Sequence, residues 1–161
     1  MKLFQTIGMT SILLLLLSSC QNKALDYNND LVKIQQGVLP QVQDFAKKWS
    51  TNVDSTNLQN IKPEADTIVQ LLNQKIAEVN VLPVVENGQD LKNAILDQFK
   101  FEKNICYKLG RLGDPQVSAD EKATIAQEFA TSSEDADKVT NRVTETQKAF
   151  AEKNHFTLEK K

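Results

Sequence analysis

Apolar residues recur at steps of three and four along four successive stretches of this chain, and that spacing most constrains what it folds into. Such steps keep one face of an α-helix apolar, whereas a half-buried strand needs strict alternation. The first stripe reads Tyr27, Leu31, Ile34, Val38, Val42, Phe45 and Trp49. The second is Leu58, Ile61, Ala65, Ile68, Leu72, Ile76, Val79 and Leu82. A third, broader arc holds Leu91, Ile95, Phe99, Cys106 and Leu109, widened by Phe101, Ile105 and Leu112. The fourth is Ile125, Phe129, Ser132, Ala136, Val139, Val143, Thr146 and Phe150. Period-two runs of β-branched residues are absent, and Gln, Lys, Glu, Asp, Ala and Leu dominate. The fold class is all-α.

The breakers divide the stripes. Gly37 and Pro40 fall inside the first, so a helix over about residues 24–50 is expected with a kink near 36–40. Pro63 sits one or two turns into the second helix, whose first turn is then a separate short segment. Pro83 to Gly88 forms an apolar loop expected to tuck under one end of the molecule. The third helix runs over about 89–110, and Gly110 and Gly113 suit a left-handed C-terminal position before Pro115. Ser118 and Glu121 have capping-box spacing and open a fourth helix reaching to about 155. Thr131 to Asp135 is polar enough to bend or split it. Short connections make antiparallel neighbours, so the expected architecture is an antiparallel up-down four-helix bundle with a kinked first helix.

Ahead of this domain, Lys2 precedes an uncharged apolar run, Ile12 to Leu17, which ends in Leu17-Ser18-Ser19-Cys20. The sixteen residues from Phe4 to Ser19 fall short of the roughly twenty apolar residues that span a bilayer. A branched apolar residue three before a cysteine, with two small residues between, resembles the bacterial lipobox. The resemblance implies cleavage before Cys20, a diacylglyceryl thioether on its sulfur and an acyl group on its new amine. Two or more acyl chains anchor stably where one does not. Gln21 at the following position resembles an outer-membrane sorting signal. The chain then divides into a cleaved signal peptide at 1–19, a lipid-anchored tether at 20–25, a helical domain at 26–156 and a frayed tail at 157–161.

The 142 residues after the leader are enough for one core. They carry 18 basic and 21 acidic residues in mixed order, which does not suit a nucleic-acid partner. With Cys20 assigned to lipid, Cys106 has no intramolecular partner, and a lone cysteine on a helix is expected to be a small buried hydrophobe. Glu152 and His155 make one Glu-x-x-His, but a di-iron site needs two copies and further glutamates. A Cys106/His155 pair would need the chain end to reach the middle of the third helix. Carboxylate pairs such as Asp26/Asp30, Glu134/Asp135 and Asp135/Asp137 lie where a solvated helix face puts them. Gly110 to Gly113 reads as a helix terminator rather than a phosphate loop. No catalytic residue, metal or cofactor is expected. Tyr27 and Trp49 are expected to close the core at its two ends, and Tyr107 to be the exposed aromatic.

Tyr27-Asn-Asn-Asp30 with Gln35-Gln36, and Leu91-Lys-Asn-Ala-Ile-Leu96 with Phe99-Lys-Phe101, resemble an uncharacterised family of small helical surface lipoproteins. That family is met in spirochaetes and in the Bacteroides-like phylum. The resemblance implies a helical fold and an envelope location, and brings no functional residues. The expected function is a lipid-anchored, non-catalytic module that docks a protein or an envelope polymer. The alternative is a small-ligand carrier or sensor with a cavity between helices, motivated by Ser132 and Thr146 on an otherwise apolar seam.

Overall fold

A computed structural model describes residues 23–51 and 58–158 of the chain. The expected signal peptide and Cys20 lie outside the described residues, as do residues 52–57 and 159–161. The described residues are helical and contain no strand. Five α-helices follow in order: α1 over residues 23–36, α2 Leu39–Thr51, α3 Ile61–Val81, α4 Gln89–Leu112 and α5 Ala119–Lys153. A single 3-10 turn, Leu58–Asn60, leads into α3. It is the separate segment expected ahead of Pro63, which sits in the first turn of α3 where its missing N–H leaves no bond unmade.

Four expected helices are five, because the kink in the first is a break. Gly37 N–H reaches back to the Lys33 and Ile34 carbonyls and Val38 N–H to that of Gln35, so α1 closes in a tight turn. Pro40 then has no N–H to continue the ladder, and α2 starts afresh with Val42 N–H bonded to the Val38 carbonyl. Val38 itself is fully buried, so the apolar stripe runs across the break without interruption.

The glycines that close α4 act differently from expectation. Neither has a positive φ, and Gly113 sits at φ −85°. Their role is close approach. A Cβ on Gly113 would stand 2.2 Å from the Leu58 carbonyl oxygen, and one on Gly110 would stand 2.8 Å from the Ala65 Cβ. The absent side chains let α4 lie against the start of α3. Left-handed residues occur instead at Asn87 (φ 60°) and His155 (φ 56°). His155 follows α5, where Phe156 N–H donates to the Ala151 carbonyl and His155 N–H to that of Glu152. This paired ending satisfies the orphan carbonyls of the last turn.

α5 runs unbroken for 35 residues, roughly 50 Å, so Thr131 to Asp135 does not split it. At its start Ser118 Oγ accepts from Glu121 N–H at 3.3 Å. The Glu121 carboxylate pairs with Arg111 at 2.7 Å and does not complete the capping box.

α3 and α4 are antiparallel: Lys92 bonds the Asn80 carbonyl near one end, and Gly110 meets Ala65 near the other. α4 and α5 are also antiparallel, with Arg142–Asp97, Lys108–Glu128 and Arg111–Glu121 across their seam, each at 2.7 Å. One apolar cluster joins all five helices. Leu31, Val38, Ile61, Leu72, Val79 and Phe99 are fully buried at its centre. Trp49 closes the core near the start of α3, its Nε1–H donating to Glu64 Oε2 at 3.0 Å. Lys48 also pairs with Glu64 and lies 5.0 Å from the Trp49 ring centroid. That lysine, with help from Trp49, holds the Glu64 carboxyl below its usual range against the opposing effect of burial.

Candidate functional site

The first turns of α1 are the described residues nearest in sequence to Cys20. Ala24, Tyr27, Asn28 and Leu31 are all buried there. The Tyr27 ring packs edge-on against Phe150 at 5.9 Å, and Phe150 packs likewise against Phe156 at 5.7 Å. The turn after α5 carries Phe156 back over its own helix and makes that second contact. Beside the aromatics, Gln147 Nε2 donates to Asn28 Oδ1 at 2.9 Å. The Tyr27 hydroxyl is buried without a hydrogen-bond partner, and burial raises its pKa. The start of the domain is thereby fixed to the end of α5.

The loop between α3 and α4 meets the same end. A Cβ on Gly88 would lie 2.8 Å from Tyr27 Cε1, so only glycine admits the ring at this spacing. The loop is tucked in part: Leu82 and Val85 pack on the core, whereas Val84 is 43% exposed and Val81 80%. Lys92 sets the corner. It is buried to 8% exposure, and its Nζ donates to the Asn80 carbonyl at 2.9 Å and the Leu82 carbonyl at 2.8 Å. A cation at a helix C-terminus satisfies carbonyls that have no partner within the helix, and it opposes the negative end of the dipole.

The structure separates the other candidates. Cys106 is buried in α4, and burial, with the nearby Glu102 carboxylate adding to it, pushes its thiol up to about 12. Such a thiol is inert as a nucleophile at neutral pH. Cys106 lies toward the C-terminal end of α4, whereas His155 follows the α5 terminus beside the opposite end. Glu152 is on the last turn of α5 and His155 beyond it in a left-handed conformation, so the Glu-x-x-His spacing does not place both on one helix face. Glu134 and Asp135 both pair with the exposed Lys138. Tyr107 is exposed as expected, at 53%.

The seam hydroxyls are consumed locally. Ser132 Oγ bonds the Phe129 carbonyl at 2.7 Å, and Thr146 Oγ1 bonds those of Arg142 and Val143 at 2.8 and 3.0 Å. The cleft of about 240 Å³ beside Ser132, between α4 and α5, is lined by Phe101, Ile105, Ile125 and Phe129. A groove of about 600 Å³ between α1 and α5 contains Asn28, Gln35 and Gln147. Both Gln35 and Asn28 already have side-chain partners, Gln98 for the first at 2.9 Å and Gln147 for the second.

Sequence reading overlooked three buried polar residues, Asn28, Lys92 and Gln98, and the half-buried Glu102 beside Gln98. Glu102 Oε2 is buried without a partner, and burial raises its carboxyl to about 7, offset only in part by Gln98. Gln98, Glu102 and Cys106 are four apart on one face, so following that face would have placed the first two beside the apolar arc.

Among the described residues, no group of three or more His, Cys, Asp and Glu side chains gathers closely enough to hold a metal ion. No described helix is long and apolar enough to cross a membrane. No family model matches the chain, and neither the curated proteins nor the solved structures contain a match to it.

Proposed function

We propose that this protein is an envelope lipoprotein, held to a membrane by acyl chains on Cys20, and that its helical domain is a non-catalytic docking module. The observation that carries the reading is the distance along the chain between the lipobox cysteine and the folded body. Cys20 stands three residues ahead of residue 23, the first described residue and already helical. Three residues span at most roughly 11 Å. The anchor therefore holds the body close to the lipid, as suits a protein that works at that surface. In this reading α1 and α2 serve as one bent member of an antiparallel four-membered bundle, in keeping with small helical surface lipoproteins. Gln21 favours the outer membrane, and the partner sought is a protein or envelope polymer. The hydroxyls that motivated a ligand carrier bond their own helix, which leaves the anchored module as the better-supported function.

Cys20→Ala is the test. The variant domain should leave the membrane fraction while keeping its helical circular dichroism, because the anchor lies outside the core. A folded variant that still sediments with membranes refutes the anchor. Biotinylation of lysines in intact and lysed cells with an impermeant reagent then assigns the face. Labelling of intact cells places the module outside, and labelling only after lysis places it in the periplasm.

A further inference from the structure

We propose that the corner formed by Val81 and Val84 rests on the lipid surface that holds the Cys20 anchor, so that the domain meets the membrane by a protein face as well as by its lipid. This rests on the lipoprotein reading above and adds which end faces the bilayer. Three large hydrophobic side chains are exposed among the described residues, Val81, Val84 and Tyr107. The first two are neighbours at the end of α3, and their end of the molecule is the one from which the chain leaves toward Cys20. Tyr27 of α1 lies against Gly88 of the same loop, and Asp30 shares a groove with Val81 and Leu82. With at most roughly 11 Å of chain between Cys20 and residue 23, an inserted lipid brings this corner, rather than the far end of α4, to the surface.

Two features suit the corner to lipid. Helix ends resist burial in an apolar medium because their carbonyls lack partners. Lys92 satisfies the Asn80 and Leu82 carbonyls from beneath, which removes part of that cost. Its bonds also make the valines a fixed ledge rather than a loose loop. The charges around the corner are of both signs, Asp30, Lys33, Lys75 and Glu78 beside Val81 with Glu86 and Asp90 following in the chain, so the contact is apolar and does not call for anionic lipid. Two valines are a weak contact alone. Behind a short tether the second attachment is intramolecular, and a weak contact is then well populated.

The test uses the full-length acylated protein with a single added thiol, Val84→Cys, Val81→Cys or Tyr107→Cys, labelled with the fluorophore NBD. Cys106 is buried and stays unlabelled, which a mass spectrum of the labelled protein checks. Tyr107 is 18 residues along α4 from Gln89, roughly 27 Å from the loop. In phosphatidylcholine vesicles containing a lipid with a shallow nitroxide, NBD at 84 and 81 should be quenched several-fold more strongly than at 107. Equal, weak quenching at all three sites on protein that floats with the vesicles overturns the proposal and leaves the anchor standing. Blue-shifted emission at 84 and 81 without lipid quenching also overturns it, since a second copy or another protein then covers the ledge. Protein that fails to float and lacks diacylglyceryl mass on Cys20 removes the anchor, and the proposal with it.

Discussion

At the scale of single residues, Gly113 shows why residue type does not reveal residue purpose. A glycine after a helix suggests a left-handed φ, yet its φ is −85°, which any residue adopts. What excludes a side chain is the Leu58 carbonyl oxygen, 2.2 Å from where a Cβ would be. That atom belongs to a 3-10 turn more than fifty positions earlier, so no local pattern contains it. Gly113→Ala should cost about 1–3 kcal/mol as an overpacking change, because backbone must move to accept the methyl group. Urea unfolding measures this, and an unchanged or higher midpoint would mean that the turn lies further from α4. Cys106 is the opposite case: a lone cysteine among apolar residues was legible as a buried hydrophobe, and it is buried.

At the scale of elements, the helix ends were readable where the signal is local. Ser118 and Pro115 mark the start of α5, and the sequence pattern predicts α4 to within two residues of its observed ends. The end of α3 was legible to within one residue from Leu82 and Pro83, but the group that finishes it was not, because it comes from α4. Lys92 lies next to Leu91 in the apolar arc and reads as an edge residue, but its Nζ closes the last carbonyls of another helix. Lys92→Met keeps much of the stem's apolar volume and removes the charged donor. It should destabilise the domain by about 1–3 kcal/mol, the cost of leaving buried acceptors unpaired. Amide hydrogen exchange should quicken first over residues 79–88. A uniform change across all helices would place the lysine's contribution in the common core instead.

Across the whole molecule, one buried carboxyl links stability to pH. Burial raises Glu102 from the ordinary 4.5 to about 7 in the folded protein. Between those values the unfolded chain has released a proton that the folded protein keeps, so rising pH favours unfolding. The contribution of Glu102 is fully present below pH 4.5 and is lost as pH rises through 7, a change on the order of 3 kcal/mol. Glu64, whose pKa is lowered mainly by Lys48, acts in the opposite sense and loses its contribution as pH falls. Comparing Glu102→Gln with the parent isolates the first effect. The variant should gain in urea midpoint relative to the parent at pH 7.5 and not at pH 4. A difference that stays constant over that range would show that Glu102 titrates in the folded protein as it does in the unfolded chain.

Periodicity alone determined the all-helical class, the apolar stripes and most helix bounds, because each depends on residues within one or two turns of one another. Tertiary structure decided what lies across from each stripe. It turned the kink at Gly37 and Pro40 into a break that leaves Val38 buried between α1 and α2. It made Gly110 and Gly113 into contact points, placed Lys92 under the end of α3 and buried Glu102. It also brought Tyr27, Gly88, Phe150 and Phe156 to one end of the molecule. Those four positions span most of the chain, and only the packing of helices distant in sequence brings them together.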